Sequence, residues 1–173
     1  MPEVTSAAYP RVSEQTAALL AARGVRASVV RLPQVHNPTK QGFVSYAIAV
    51  ARQKGVSAYV GDGRNRWPAV HVLDAAHLYR LALEKGTAGA RYHAVAEEGI
   101  SFREIAEAIG RALKVPVVAK SSEEAAKHFG FIGHFVSLDC PASSALTQKR
   151  LGWRPTQSAG MIADLEDPRA FAA

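Results

Sequence analysis

Cysteine is nearly absent from this sequence. Cys140 is the single thiol among 173 residues, so the chain cannot form an internal disulfide or bind a metal through several thiolates. A chain without disulfides suits a reducing compartment, and we expect a cytoplasmic protein.

Long apolar runs are missing as well. No apolar stretch approaches the ~20 residues that a membrane-spanning helix needs, and the first residues lack the basic and apolar pattern of an export signal. We therefore expect no membrane association. The apolar fraction of 48% and the charged fraction of 21% are those of a compact protein, which predicts a single domain over residues 1–173.

Clustered charge is scarce, although the net charge is +6. The densest basic clusters are Arg52–Lys54 and Lys149–Arg150, and neither is interleaved with aromatic residues that stack on bases. We therefore expect no nucleic-acid partner. The six histidines do not have the spacing of a metal site, so none is predicted.

Helical and strand patterns alternate along the chain. Ser101 with Glu104, and Ser121 with Glu124, have the spacing of capping boxes that begin helices. The segment 26–33 has a β-branched centre, and similar short strands follow further on. This alternation predicts an α/β fold with parallel strands.

Three further expectations concern element ends. Pro33 should end a strand abruptly, and Asp74 should cap the helix that begins there, with His71 packed or bonded to backbone. The residues after Met161 have no strong pattern and are expected to be weakly ordered.

Three segments together resemble one family. They are "SEQTAALLAARGVRASVVRLPQVHNP" at 13–38, "GDGRNRWPAVHVLDAAHLY" at 61–79 and "LGWRP" at 151–155. Their order and spacing resemble the carboxyl-terminal half of the extended, or atypical, short-chain dehydrogenase/reductases, the NAD-dependent epimerase/dehydratase family. Over residues 13–155 the resemblance implies a partial Rossmann-like NAD(P)-binding domain and a small carboxyl-terminal substrate lobe.

The resemblance also implies NAD or NADP as cofactor and a small-molecule substrate. The family's glycine-rich turn, which receives the dinucleotide pyrophosphate, is missing from this chain. Its catalytic tyrosine and lysine would fall on Ser6 and Pro10, and starting from Tyr9 instead leads to Ser13. No catalytic residue is therefore assigned. We expect a truncated or diverged oxidoreductase that is inactive alone; the alternative is a non-catalytic regulatory or ligand-binding module.

Two groups of residues are candidate binding residues through the resemblance. Pro33, Gln34, Val35 and His36 follow the strand beside which the family places the nicotinamide ring, so they are the predicted cofactor-binding residues. Proline suits a rigid wall beside a flat ring because its φ is fixed.

Arg66 and Trp67 are the predicted substrate-binding residues. The family's phosphate-binding arginine falls on Trp67, with Arg66 one residue before it. An indole cannot pair with a diphosphate as a guanidinium does, so a flat or apolar substrate is favoured over a nucleotide sugar. A tryptophan packed between lobes is the alternative.

The last expectation concerns partners. Without the family's amino-terminal strands, the strand around Ser28–Leu32 would have an unpaired edge. This predicts a homo-oligomer or binding of a complementary amino-terminal fragment.

Overall fold

The computed structural model describes residues 12–171. Its helices are α1 Val12–Ala22, α2 Val44–Lys54, α3 Val72–Lys85, α4 Phe102–Leu113, α5 Ser122–Phe129, α6 Gly133–Val136, α7 Ala145–Leu151 and α8 Met161–Glu166. Its strands are β1 Val29–Arg31, β2 Gln34–His36, β3 Ser57–Val60, β4 Arg66–His71, β5 Arg91–His93, β6 Glu97–Ser101 and β7 Val117–Lys120. Two short 3₁₀ turns lie at Gly130–Ile132 and Pro168–Phe171.

The strands form three small sheets, and most neighbouring strands are parallel. β1 pairs with β5, β2 with β4, and β3 with β7, all in parallel, whereas β6 runs antiparallel to β4. In the β2–β4 pair, His36 lies opposite His71 at the carboxyl ends of both strands. The predicted α/β fold with parallel strands is confirmed.

Two apolar cores hold these elements together. The larger core packs α2, α4 and α5 against β3, β4 and β6, and the smaller one packs α3 against β1, β2 and β5. Trp153 is fully buried in the smaller core, and its indole N–H donates to the carbonyl oxygen of Asp74. The segment 151–155 is thereby fixed to the first turn of α3.

Both predicted capping boxes are present. Ser101 accepts a hydrogen bond from the backbone N–H of Glu104, whose carboxylate accepts one from the Ser101 N–H. Ser121 and Glu124 make the same reciprocal pair at the start of α5. Each box satisfies donors that the first turn of a helix otherwise leaves unpaired.

The predicted start of α3 is corrected. His71, not Asp74, is the N-cap, since its Nδ1 accepts from the backbone N–H of Leu73 at 3.2 Å. Asp74 lies inside the first turn and is buried. Its carboxylate accepts from the backbone N–H groups of Thr156 and Gln157 at 2.8 and 3.1 Å. Asp74 therefore hydrogen-bonds to the loop at Thr156 and Gln157 instead of capping its own helix.

The predicted strand ends before Pro33. β1 stops at Arg31, and β2 begins at Gln34, directly after the proline. Because proline cannot donate to a ladder, the chain exchanges its partner there, from β5 to β4.

The expected weak order after Met161 is wrong. Residues 161–166 form α8, in which the side chains of Met161 and Leu165 are fully buried against the larger core. The i, i+4 spacing of Met161 and Leu165 places both side chains on one face of the helix, and that face packs on α4.

Candidate functional site

A hollow opens where β2 and β4 end. Its volume is about 350 Å³. Its walls come from the two strand ends, the start of β6 and the loop before α8, and the lining residues are His36, His71, Ala96, Glu97, Pro155, Gln157, Ser158, Ala159 and Gly160.

His36 is the most deeply buried polar residue of this hollow, with 1% of its surface exposed. Its Nδ1 lies 2.6 Å from Oδ2 of Asp164, a buried residue of α8 that is 128 positions away in the sequence. A carboxylate oxygen accepts hydrogen bonds, so we place a hydrogen on Nδ1. The pair fixes the orientation of the imidazole ring and joins β2 to α8.

The other ring nitrogen of His36 lies near a second carboxylate. Nε2 is 3.6 Å from Oε2 of Glu97, which is too long for a hydrogen bond, and it has no hydrogen-bond partner within residues 12–171. Burial lowers the pKa of His36, but Glu97 and Asp164 outweigh burial and raise that pKa above its ordinary value. Burial raises the pKa of Glu97, but His36 and the Met161 N–H lower it by more, so the pKa of Glu97 lies below its ordinary value. The His36–Glu97 pair thus favours the charged form of both groups.

His71 adds a second imidazole. Its ring is 5.7 Å from the His36 ring and nearly perpendicular to it. Since Nδ1 of His71 accepts from Leu73, the neutral ring carries its hydrogen on Nε2. The hollow therefore combines two imidazoles and one carboxylate.

The loop over the hollow is held in place by two carboxylates. Asp74 binds the N–H groups of Thr156 and Gln157, and Oε2 of Glu97 accepts from the N–H of Met161 at 2.9 Å. At Gly160, a Cβ atom would lie 2.6 Å from Oε1 of Glu97, so a larger residue would displace that side chain. The loop is therefore shaped around Glu97.

The four predicted cofactor-binding residues have different surroundings. Pro33 is half-buried at the junction of β1 and β2, and Val35 is half-buried against the smaller core. The side-chain oxygen of Gln34 accepts from the N–H of Phe43 at 3.0 Å. The His36 side chain points to Asp164. Their contact with a cofactor stays a prediction.

The two predicted substrate-binding residues lie apart from the hollow. Both guanidinium arms of Arg66 reach Asp139, at 3.0 and 2.9 Å, and the backbone N–H of Arg66 donates to the same carboxylate. Trp67 is 3% exposed and packs edge-on against Phe102, with ring centroids 4.9 Å apart. This is the packed position that the sequence left open as the alternative.

A second hollow, of about 450 Å³, lies between β5, with the residues just before it, and α7. Arg31, Arg91 and Arg150 are among its lining residues. Arg31 is a buried residue that donates two hydrogen bonds to Glu14, at 3.0 and 2.7 Å, and Arg91 lies 3.6 Å from the same carboxylate. Two of its three arginines are thus already paired with a carboxylate.

Across residues 12–171 there is no group of three or more His, Cys, Asp or Glu side chains that could bind a metal ion. None of the helices in that range is long and apolar enough to cross a bilayer.

Comparison with known proteins assigns the family. Residues 8–96 match the NAD dependent epimerase/dehydratase family. The chain belongs to this family. A curated relative, an uncharacterised protein of Schizosaccharomyces pombe, is 54% identical over 171 residues, which are 98% of this chain and 58% of the relative. The chain thus spans little more than half the length of that relative.

Solved structures of epimerase/dehydratase type have the same fold. The dTDP-glucose 4,6-dehydratase DesIV of Streptomyces venezuelae, with NAD and TYD bound, matches 89% of this chain and 46% of its own, at a TM-score of 0.67 and 20% identity. RMD of Pseudomonas aeruginosa, with NADPH, matches 91% of this chain and 51% of its own, at a TM-score of 0.62 and 20% identity. The predicted Rossmann-like fold class is therefore confirmed.

Glu97 and Asp164 were not identified by sequence reasoning. Asp164 lies within the segment expected to be weakly ordered, and the helical spacing of Met161 and Leu165 was the signal that α8 forms there. Glu97 is followed by polar residues and glycine, a pattern that indicates a turn more strongly than a strand.

The raised pKa of His36 predicts a pH-dependent stability. A histidine whose folded pKa is raised contributes stability that is fully present below its unfolded pKa of ~6.5 and is lost as pH rises through the folded pKa. We expect Asp164→Asn to cost more unfolding free energy at pH ~5.5 than at pH ~8.5, by about 1.4 kcal/mol per unit of pKa difference.

Urea unfolding of the chain and the variant across this pH range measures the effect. Glu123→Gln is the control, because Glu123 is an exposed carboxylate of α5 that pairs only loosely with Lys127, at 3.5 Å. A cost of Asp164→Asn that is the same at every pH would show that His36 does not gain charge on folding.

Proposed function

We propose that this chain is the substrate-lobe part of an NAD(P)-dependent oxidoreductase that acts on a small molecule other than a nucleotide sugar. One observation carries the substrate class. At the position where the family commonly has its phosphate-binding arginine, Trp67 is buried in the core, and the guanidinium of the neighbouring Arg66 is already paired with Asp139. A diphosphate would therefore have to compete with Asp139 for Arg66.

The cofactor assignment is limited by what the described residues can bind. A dinucleotide pyrophosphate needs a glycine-rich turn between a strand and the first turn of a helix. Within residues 12–171, the turn at Gly61–Gly63 instead joins two strands, β3 and β4. Pro33, between β1 and β2, suits one wall of a nicotinamide site. These residues do not fit a whole dinucleotide, so no hydride-transfer step is derived for them.

We expect the isolated 173 residues to show no turnover with NAD(P)(H). The reason is that the described residues include neither a pyrophosphate-binding turn nor an assigned acid–base tyrosine and lysine pair. Titration of NADH and NADPH, monitored by nicotinamide fluorescence, measures binding; absorbance of the reduced ring in the presence of carbonyl substrates measures turnover. Measurable reduction of a carbonyl by the isolated chain would overturn this prediction.

The substrate class has its own test. The matched structures include enzymes of dTDP-glucose and UDP-glucose, so these two compounds are the appropriate probes. We expect neither to raise the melting temperature of the chain. We expect Asp139→Asn, which frees the Arg66 guanidinium, to permit weak binding of the diphosphates. Tight binding of either nucleotide sugar by the unmodified chain would show that Arg66 leaves Asp139 for the ligand.

The alternative, a non-catalytic ligand-binding module of the same fold, predicts a different result when the missing amino-terminal segment is supplied. The oxidoreductase proposal expects a glycine-rich strand, turn and helix, in frame on the same polypeptide or on a partner chain, to restore dinucleotide binding and turnover. A module without redox chemistry would stay inactive when that segment is supplied.

A further inference from the structure

The second hollow, between β5 and α7, has an excess of positive charge that the proposed function does not use. We propose that this hollow binds the phosphate group of a small phosphomonoester with an apolar carbon part. It is distinct from the hollow at the ends of β2 and β4, because the two have no lining residue in common. The proposal is independent of the cofactor and substrate assignments above.

The positive charge comes from three arginines that line this hollow. Arg31 is buried and donates two hydrogen bonds to Glu14, so the charges of this pair cancel. Nε of Arg91 lies 3.6 Å from the same carboxylate, which is too long for a hydrogen bond. Within residues 12–171, no other carboxylate lies within 4 Å of the three guanidinium groups. Arg91 and Arg150 therefore have no carboxylate of their own.

The guanidinium groups of Arg91 and Arg150 can be reached by a ligand. The side chain of Arg91 is 39% exposed, and Arg150 is an exposed residue in the last turn of α7. Neither guanidinium donates a hydrogen bond to another residue of the described chain. A guanidinium presents its N–H donors in a planar fork that pairs with two oxygens of one phosphate. Both arginines thus offer unused donors to an oxyanion in the hollow.

Two arginines match a phosphomonoester better than a carboxylate. A phosphomonoester carries about two negative charges near neutral pH and has three acceptor oxygens, so it can pair with both guanidinium groups at once. A carboxylate has one charge and two oxygens, which a single bidentate arginine already occupies. The charge count of the hollow therefore favours the phosphate dianion.

The imidazole of His93 responds to the same positive charge. Its Nδ1 lies 3.2 Å from the carbonyl oxygen of Ser143, so we place a hydrogen on Nδ1. Burial lowers the pKa of His93, and the charge of Arg31 contributes to the decrease. A further cation is thus disfavoured at this position, whereas an anion would be stabilised by the same charges.

Apolar residues beside the arginines suit the carbon part of the ligand. Ala90 lies next to Arg91 at the start of β5, and Ala145 and Leu146 belong to the first turn of α7. Leu146 is 65% exposed, so its side chain has apolar surface to bury against a ligand. The lining has no Phe, Tyr or Trp on which a nucleobase could stack. These residues favour a short aliphatic ester over a nucleotide.

The melting temperature of the 173-residue chain tests the proposal, at pH ~7.5 and at an ionic strength held constant with NaCl. The probes are inorganic phosphate, n-butyl phosphate and butyrate. A ligand that binds only the folded chain raises the melting temperature, and the concentration dependence gives the apparent affinity. We expect saturable stabilisation by both phosphates, with n-butyl phosphate the tighter, and an affinity for butyrate at least about tenfold lower than for n-butyl phosphate.

Three exposed positions on α7 locate the binding site. Arg150→Gln should weaken the binding of n-butyl phosphate about tenfold, because it removes one charged donor. Lys149→Gln is the matched control: it removes the same charge one residue away, outside the lining of the hollow, and should bind like the unmodified chain. Leu146→Ser should remove the advantage of n-butyl phosphate over inorganic phosphate.

Three results would overturn the proposal. They are the absence of saturable stabilisation by both phosphates, an Arg150→Gln variant that binds n-butyl phosphate no more weakly than Lys149→Gln, and butyrate bound as tightly as n-butyl phosphate.

Repeating the nucleotide-sugar measurements in Arg150→Gln separates this proposal from the proposed function. Each phosphate of dTDP-glucose or UDP-glucose is bridged on both sides and carries one charge, so we expect no response through this hollow. A response that disappears in Arg150→Gln would overturn the restriction to monoesters. A response that persists in Arg150→Gln would contradict the proposed substrate class and leave the phosphomonoester site standing.

Discussion

Replacing Trp67 by alanine is expected to lower the free energy of unfolding by about 3–5 kcal/mol, the range for a large buried aromatic residue. The indole is 3% exposed, contacts Phe102 edge-on and lies within the larger core. Its removal leaves a cavity between β4 and α4 that neighbours in the sheet cannot fill without distorting their register. Urea or thermal unfolding measures the loss of unfolding free energy without an activity assay.

Trp67→Phe is the matched variant for this experiment. The indole N–H of Trp67 has no hydrogen-bond partner among the described residues, so phenylalanine keeps much of the packing and removes an unsatisfied buried donor. We expect it to cost far less than alanine, while Leu83→Ala on the exposed face of α3 should cost almost nothing. An alanine variant with unchanged stability but an aromatic ligand bound about 1–3 kcal/mol more weakly would instead support a substrate-facing tryptophan.

The features that the sequence predicted well are local ones. The capping boxes at Ser101 and Ser121 each depend on a partner three residues away, so the pattern contains all the groups involved. The left-handed glycines Gly55 and Gly152, which end α2 and α7 in the structure, are local features of the same kind.

The strands β6 and β7 were not predicted, for a physical reason. β6 has the sequence Glu-Glu-Gly-Ile-Ser, which has weak strand preference, and its pairing comes from β4, about thirty residues earlier. β7 is a short strand that pairs with β3, which lies about sixty residues earlier in the sequence. Such strands are formed by tertiary pairing, which periodicity does not reveal.

The candidate site could not be predicted either, because the residues that form it are far apart in the sequence. His36 could be placed after a strand from the sequence, but Asp164 lies 128 residues away and Glu97 on an unrecognised strand. Arg66 was likewise singled out without Asp139, its partner 73 residues away. A side chain's chemistry depends on partners that only the fold brings together.

The second large effect concerns the edge of β1 that faces away from β5. Within residues 12–171, β1 pairs with β5 along one edge, and no other described strand pairs with its second edge. On α1, Glu14 is the one buried residue, and Leu19 is 67% exposed. An unpaired strand edge beside exposed apolar side chains favours pairing with another chain.

We therefore expect the purified chain to self-associate, to bind a complementary amino-terminal fragment of the family fold, or to aggregate. Sedimentation velocity over a roughly hundredfold concentration range measures association, because a mass-action equilibrium shifts with concentration. Leu19→Glu should weaken association by placing charge on the exposed face of α1, whereas Leu83→Glu, on the equally exposed face of α3, should not. A cooperative species that stays monomeric at the highest concentration would mean that the chain itself covers the β1 edge, and the substrate-lobe assignment would then lose its main structural consequence.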